Sequence, residues 1–194
     1  MKKTLAFLSV LAALSLSAFV AKKDETYTVD VSKSSIEWIG RKVTGQHTGT
    51  VKIASGNLIY NGATLKGGTF TMDMNSVVTT DGSGARLETH LKSPDFFGVE
   101  KNPTSTFTVT KVAPAGGDQV NITGNLTIKG ITKPLTFPAT VKKQGNAIAA
   151  VAKGVKVDRT KYDIKYNSKS IFAAIGDKAI DDEFELAINL VATK

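Results

Sequence analysis

His47 and His90 are the only histidines in the 194-residue sequence, and there is no cysteine, so the sequence offers no thiol nucleophile and only two imidazole bases. No Gly-x-Ser-x-Gly elbow, phosphate-binding loop or Gly-x-Gly-x-x-Gly follows an apolar run. Two histidines are also too few ligands for a zinc site. We therefore expect no catalytic residue, no metal and no cofactor, and we predict that the protein is not an enzyme. The competing hypothesis is an active site that pairs His90 with Asp95 or Asp158.

Two polar residues, His90 and Arg159, are instead candidates for holding a ligand. His90 either closes a hydrogen bond within its own segment or donates to a ligand head group at the mouth of a pocket. Arg159 follows Asp158 where a strand pattern is interrupted, and charged side chains are seldom fully buried unless they are paired. This pair either fixes a bend in the backbone or anchors the polar end of a ligand. His47 is expected in an exposed loop.

The segment around His90, residues 86–97, has the spacing of a helix. Its large apolar residues are Leu87, Leu91, Phe96 and Phe97. The two leucines lie four residues apart and share one helix face. Ser93-Pro94-Asp95 predicts the start of a second helix, with the serine as its N-cap. Such a segment needs an apolar surface to cover, so we predict a short helical lid over the open end of a β structure.

The chain beyond residue 26 otherwise alternates apolar and polar residues in at least eight short runs separated by turn signals. Asn61-Gly62 is the clearest hairpin signal, because both central residues of a type I′ turn need positive φ. This pattern predicts an all-β antiparallel barrel or sandwich. Eleven residues share the apolar parity and are expected to point inward: Trp38, Phe70, Met72, Met74, Phe107, Val109, Ile122, Leu126, Phe137, Phe184 and Leu186.

These inward-facing residues either fill a solid core or line a cavity. An eight-stranded barrel is just wide enough to hold one small ligand, and phenylalanine and methionine form an adaptable apolar lining. Together with the four apolar lid residues, His90 and Arg159, they are our candidate ligand-binding site. The pattern favours a lipophilic small molecule as the partner.

The first 21 residues have the pattern of a secretory signal peptide, because Lys2 and Lys3 precede an uncharged apolar run over residues 4–20. We expect this peptide to be cleaved and the protein to be periplasmic or secreted, with a short linker over residues 22–26 and one barrel domain over residues 27–194. The net charge of +8 falls to +6 without the two leader lysines, and the remaining lysines are dispersed, which predicts no nucleic-acid binding. The sequence leaves open a homodimer and a transient contact with a membrane surface.

Five separated motifs occur together and in order: the strand around Trp38 and residues 90–97, 102–107, 124–134 and 157–159. With these motifs the chain resembles the YceI-like family of secreted polyisoprenoid-binding proteins over residues 27–192. Two positions depart from the family pattern. Lys129 stands where members often carry histidine, and Tyr162-Asp163-Ile164 replaces the commoner Phe-Gly-Ile.

The resemblance implies a lipocalin-like, eight-stranded antiparallel β-barrel that encloses an isoprenoid chain and is closed at one end by the lid. It implies a non-enzymatic carrier or store for an isoprenoid lipid or an isoprenoid quinone. One alternative is a solid-core barrel that binds protein partners or acts in a stress response. Another is an outer-membrane barrel, which needs an outward apolar band on strands of about ten residues.

Overall fold

The computed structural model describes residues 22–172, 174 and 176–194. The expected signal peptide, residues 1–21, lies outside the described residues. Within these described residues, nine strands and one α-helix follow in chain order: β1 (Asp24–Val29), β2 (Ser35–Lys42), β3 (Gly45–Asn61), β4 (Thr64–Thr79), α1 (Gly84–Lys92), β5 (Thr104–Gly116), β6 (Gln119–Ile128), β7 (Ile131–Gln144), β8 (Ala147–Asp158) and β9 (Ile180–Thr193). Two short 3-10 helices, Arg159–Tyr162 and Gly176–Lys178, lie between β8 and β9.

All strands belong to one antiparallel sheet, which the pairing of β3 with β4 closes into a barrel. The nine strands occupy eight positions around it, because β1 and β2 share one. Strand β1 pairs with residues 57–61 of β3, whereas β2 pairs with residues 45–51 of the same strand. Both also pair with β9 on their other side. The prediction of an eight-stranded, lipocalin-like antiparallel barrel is thus confirmed.

The barrel forms because its strands are apolar on one face only, as β4 illustrates. Phe70, Met72 and Met74 are buried at alternate positions, while the residues between them are more exposed. Side chains of successive strand residues point to opposite faces, so this period of two places all three residues inside. The predicted inward parity of β4 is therefore correct.

The hairpin between β3 and β4 is centred one residue later than predicted. Asn61 pairs with Thr64, so the central residues of the turn are Gly62 and Ala63. Gly62 has φ +63°, and Asn61 and Ala63 have no positive φ. A positive φ at the first central position alone is the requirement of a type II′ turn, which glycine meets without strain. The predicted linker over residues 22–26 also differs, because β1 begins at Asp24.

The two ends of the barrel differ in their connections. At one end, here called the base, three short hairpins join β3 to β4, β5 to β6 and β7 to β8. At the other end, called the mouth, residues 84–98 form the lid and residues 163–179 form a long connection, called the mouth loop. Within the described residues, no helix is both long and apolar enough to span a bilayer.

Candidate functional site

Two cavities lie inside the barrel. The mouth cavity has a volume of about 140 Å³ and lies under the lid, and the inner cavity has a volume of about 90 Å³ and extends toward the base. No polar surface faces either cavity, although Ser105, Arg159, Asp181 and Glu183 are among the residues around the first. An interior of this kind accepts an apolar ligand and offers a polar head group no partner along the barrel wall.

A narrow waist separates the two cavities. Its four residues border both of them: Ile36, Met72, Leu126 and Leu186. Met72 is the most adaptable of these, because its unbranched side chain has three rotatable bonds. Rotation of one side chain can therefore change whether the interior holds one short ligand or one longer chain.

Three aromatic rings of the lining lie over glycines of neighbouring strands. Trp38 is directly opposite Gly49, and Phe70 is directly opposite Gly56. A Cβ atom on either glycine would collide with the facing ring, and one on Gly124 would collide with the ring of Phe107 in the same way. Because these glycines carry no side chain, the rings lie against the wall and the space inside the barrel stays open.

The lid closes the mouth with its apolar residues. Leu91, Phe96 and Phe97 border the mouth cavity, and the ring of Phe97 stands edge-on to that of Phe184, with centroids 6.4 Å apart. The helix α1 ends at Lys92, and the predicted second helix is absent, because residues 94–97 form turns. Ser93 accordingly does not cap a new helix. Its hydroxyl donates a 2.8 Å hydrogen bond to the carbonyl of His90 and caps the end of α1.

His90 lies outside the cavities, on the outer side of the lid. Its ring packs edge-on against Phe96 and Tyr166, with centroid distances of 4.9 and 4.6 Å. Its Nε2 is 3.6 Å from Oδ2 of the exposed Asp95. Of the two roles considered for His90, the ring makes contacts that join the lid to the mouth loop, and it borders neither cavity. Donation to a ligand head group stays a prediction.

Arg159 borders the mouth cavity and is only 4% exposed. Its guanidinium donates hydrogen bonds of 2.9 to 3.1 Å to four backbone carbonyls: those of Ile164, Tyr166, Ile180 and Asp181. Burial lowers its pKa, and nearby carboxylates offset this in part. The group nevertheless remains charged.

The carboxylate that accompanies Arg159 is Asp182 and not Asp158. Nη2 of Arg159 is 3.9 Å from Oδ1 of Asp182, whereas Asp158 caps the following turn by accepting from the backbone N–H of Thr160. Burial alone would raise the pKa of Asp182, but hydrogen bonds from Ser168 and Ser170 and the charge of Arg159 lower it overall. The predicted Asp158–Arg159 pair is thus wrong, and the arginine instead holds the two ends of the mouth loop together.

Fifteen of the seventeen predicted site residues border one or both cavities, and the exceptions are Leu87 and His90. Leu87 lies half-buried on α1. The mouth cavity is bordered by Trp38, Met74, Leu91, Phe96, Phe97, Arg159 and Phe184. The inner cavity is bordered by Phe70, Phe107, Val109, Ile122 and Phe137, and Met72, Leu126 and Leu186 border both.

Several residues that line the cavities were not among the predicted site residues. In β3 and β8 they include Val51, Ile53, Leu58, Ala152 and Val155. The same alternation could have found most of them, although a register shift between Ala152 and Val155 interrupts it in β8. Ile164 lies in the mouth loop, where no strand pattern marks a residue as buried.

His47 lies in β3 and is half-buried, not in an exposed loop as expected. Its Nδ1 is 2.7 Å from the Ser83 hydroxyl and 2.9 Å from Oδ2 of Asp81. Ser83 and Asp81 both contact Nδ1, whereas in a hydrolase triad the serine and the aspartate contact different ring nitrogens. The three groups therefore lack the geometry of such a triad. Hydrogen bonds from Ser83, His47 and Thr48 hold the pKa of Asp81 below its usual range. The cluster fixes the loop before α1. Among the described residues, no group of three metal-ligating side chains lies together.

A closed antiparallel barrel with an apolar interior is the architecture of lipocalin-like proteins that bind small molecules. The YceI-like domain model matches residues 27–192, and the chain belongs to this family. It is 50% identical over 76 residues to a UPF0312 protein of Pseudomonas paraeruginosa and 45% identical over 76 residues to Protein YceI of Salmonella arizonae. Each alignment covers 39% of this chain and 38% of the relative's length.

Two solved structures share the fold at low sequence identity. BcnA of Burkholderia cenocepacia is 24% identical with a TM-score of 0.71, and the match covers 85% of this chain and 99% of BcnA. A polyisoprenoid-binding domain from Saccharophagus degradans is 15% identical with a TM-score of 0.64, and the match covers 86% and 97% of the two chains. These similarities confirm the barrel as the family fold.

Proposed function

We propose that the protein binds an isoprenoid lipid or an isoprenoid quinone inside the barrel and carries or stores it outside the cytoplasm. The observation that carries this proposal is the pair of apolar cavities arranged from mouth to base beneath an apolar lid. The description of the Saccharophagus degradans domain as polyisoprenoid-binding supports the same ligand class. The protein's work is then physical and not catalytic.

The energetics favour a carrier for such a ligand. Burying a methylene group stabilises it by about 0.8 kcal/mol relative to water, so ten carbons contribute roughly 8 kcal/mol. A bilayer offers similar burial, and exchange between the two therefore has a small net free-energy change. Chain fit and contacts of the head group then decide whether the protein or the membrane holds the cargo.

The cavity sizes indicate how much chain the interior holds. An apolar cavity of about 150 Å³ binds one benzene ring, and the mouth cavity has a comparable 140 Å³. The two cavities together thus suit one or two isoprene units, and a longer chain requires the waist side chains to move apart. Four of the five N–H donors of Arg159 are occupied by backbone carbonyls, and its Nη2 also faces Asp182 at 3.9 Å. We therefore place the head group beyond the cavity, between the lid and the mouth loop.

Native mass spectrometry of the protein purified from its own host tests this function. We expect a bound apolar adduct of isoprenoid mass, which organic extraction releases and identifies. The same spectrum gives the oligomeric state and the N-terminal residue, and the latter tests the proposed export. A ligand-free mass, with no uptake of isoprenoid quinones from added vesicles, would contradict the proposal. Release from cells by salt without detergent separates a carrier from an outer-membrane barrel.

A further inference from the structure

The mouth loop exposes large apolar side chains at the mouth end of the barrel. Tyr166, Ile171 and Phe172 are 39%, 44% and 46% exposed. In the sequence, the two neighbours Ile171 and Phe172 begin a run of five apolar residues that continues Ala-Ala-Ile. Scattered exposed apolar residues are ordinary, whereas a contiguous patch marks a surface that contacts something else.

Most of the exposed large apolar side chains lie at the mouth end of the barrel, where Tyr166, Ile171 and Phe172 form what we call the apolar patch. Among the described residues, the other exposed large apolar side chains are Val31, Val43 and Val78. Val43 belongs to the same end of the barrel, since its backbone N–H donates to the carbonyl of Ala179 at the end of the mouth loop. Val78 lies one residue before the mouth end of β4, whereas Val31 lies in the connection between β1 and β2, on the side of the barrel.

Hydrogen bonds hold the two ends of the mouth loop, whereas Ile171 and Phe172 within the loop are exposed. Arg159 bonds the carbonyls of Ile164 and Tyr166 at the start of the loop and that of Ile180 just after its end. The buried Ser168 hydroxyl donates to Asp182. Ile164 and Ile180 also border the mouth cavity. A surface that binds Ile171 and Phe172 therefore lies at the mouth end of the barrel, where this loop begins and ends beside the cavity.

Lysines flank the exposed apolar residues. Residues 161–178 contain four lysines and two aspartates, and the side chains of Lys161, Lys165 and Lys169 are 57% to 65% exposed. Each of the three ammonium groups lies 2.7 to 3.7 Å from one aspartate carboxylate, an exposed pairing that lipid phosphates can replace at little cost. Lysine stems lie along apolar surfaces while their ammonium groups reach polar head groups. Basic residues beside an apolar segment are attracted to anionic lipid.

We propose that the mouth loop docks the protein on anionic bilayers, with Ile171 and Phe172 entering the boundary between head groups and acyl chains. Lys165 and Lys169 contact lipid phosphates, and the mouth cavity then opens toward the membrane. This inference deepens the proposed function, because it names the surface through which cargo is exchanged.

Vesicle binding of the purified protein tests the proposal. Vesicles of phosphatidylethanolamine with phosphatidylglycerol are floated on a density gradient with the wild-type protein, the double variant Ile171→Ser/Phe172→Ser, and the control Val31→Ser, whose valine is 47% exposed. All proteins share one N terminus, so a retained leader cannot cause a difference. We expect the double variant to bind about tenfold less tightly or weaker still, and the control to bind as wild type does.

A second measurement reports the inserted residue directly. Phe172→Trp in a Trp38→Phe background places the single tryptophan of the chain at the loop tip. Brominated lipids are expected to quench it. Absence of quenching, or equal vesicle binding by the double variant and wild type, overturns the docking proposal. Self-association of wild type that the double variant loses, without vesicle binding, also overturns it, because the patch then contacts a second copy.

The docking proposal and the carrier proposal fail in different ways. If the double variant still contains isoprenoid by native mass spectrometry but equals wild type in vesicle binding, docking is wrong and the carrier stands. If vesicle binding depends on Ile171 and Phe172 but no isoprenoid is ever bound, docking stands and the carrier is wrong.

Discussion

The ring of His90 stands edge-on to the ring of Tyr166, with centroids 4.6 Å apart, and this contact joins the lid to the mouth loop. Phe96 completes the cluster, since its ring is 4.9 Å from His90 and 5.5 Å from Tyr166. Phe96 also borders the mouth cavity. The three rings therefore connect the outer surface of the lid with the ligand space, and the lid cannot lift without separating His90 from Tyr166.

Removing this contact is expected to accelerate the exchange of cargo. An aromatic pair contributes about 0.5–1.5 kcal/mol, so Tyr166→Ala should raise the rate of cargo release roughly twofold to tenfold. Stopped-flow release of a fluorescent isoprenoid measures it. His90→Ala, together with the variant that carries both Tyr166→Ala and His90→Ala, completes a mutant cycle. If the changes in release free energy of the two single variants simply add in the combined variant, the contact between the two rings does not hold the lid closed.

Arg159→Met is expected to destabilise the fold strongly. The variant removes four hydrogen bonds to carbonyls and leaves Asp182 without its cation. Loss of one partner of a buried ion pair costs about 3–5 kcal/mol of unfolding free energy. Urea unfolding followed by Trp38 fluorescence measures this loss. The exposed neighbour supplies the control, because Lys161→Met should change stability by less than about 0.5 kcal/mol.

The same variants separate a positioning role of Arg159 from a role in binding. Where Arg159→Met still folds, its affinity for isoprenoid per folded molecule should equal that of wild type. A large loss of affinity with unchanged stability would instead make the arginine an anchor for the head group.

The barrel and most of its lining could be predicted because strand alternation is a local property of the sequence. The buried face of β4 is readable from its own residues, and the same holds for Phe107 and Val109 in β5. The sharing of one barrel position by β1 and β2 could not be predicted in this way. It depends on pairs such as Val29 with Ala192, whose partners lie at opposite ends of the chain.

The errors in the predicted site have a similar cause. Asp158 precedes Arg159 in the sequence, but the fold brings Asp182 to the guanidinium, because β9 pairs with β8. Ser93 illustrates a local ambiguity, since a serine caps either end of a helix and here its hydroxyl bonds the carbonyl of His90. The mouth loop offered no periodic pattern, so the exposure of Ile171 and Phe172 required the structure.

Gly124→Ala is expected to reduce both stability and cargo binding. A Cβ atom there would be 2.6 Å from the carbonyl oxygen of Thr108 and would push the ring of Phe107 into the inner cavity. Overpacking of this kind costs about 1–3 kcal/mol. Thermal unfolding and isoprenoid titration measure the two effects.

A matched variant in another strand controls for the loss of glycine itself. Gly67 lies in β4, and the nearest atom to its added Cβ is Cδ1 of Ile59 at 4.0 Å, an ordinary contact. Gly67→Ala should therefore leave cargo affinity unchanged and keep or slightly raise stability. Equal losses in both variants would show that the space left by Gly124 does not matter.

Glu25 near the base is expected to make stability depend on acid pH. Hydrogen bonds from Lys194, Tyr27 and Lys143 lower the pKa of this carboxyl from 4.5 to about 2. The folded state thus favours the charged form, so the stabilisation is present above pH 4.5 and is lost as the pH falls toward 2. The Glu25 side chain is about one third exposed, so salt is expected to weaken the effect.

Melting temperatures across this pH range check the assignment to Glu25. The difference between wild type and Glu25→Gln should be largest near neutral pH and shrink below pH 4.5. Asp118→Asn serves as control, because its exposed carboxylate lies 3.6 Å from Lys142 at the same end of the barrel. A difference that stays constant with pH would mean that Glu25 acts by packing and not by charge.

Met72 at the waist is expected to set the length of chain that the barrel accepts. Met72→Ala shortens one of the four side chains that border both cavities, and we expect this to join the two spaces into one. The substitution should cost about 2–5 kcal/mol of unfolding free energy, but it should favour long isoprenoids over short ones. Titration with a series of isoprenoid quinones of increasing length measures the preference.

A second variant that enlarges the interior distinguishes an effect of cavity shape from an effect of cavity volume. Ile53 borders only the inner cavity, so Ile53→Ala adds space without opening the waist. If the waist governs selection, Ile53→Ala keeps the wild-type preference for chain length while Met72→Ala moves it to longer chains. The same shift in both variants would mean that total volume, and not passage past Met72, decides which isoprenoid binds.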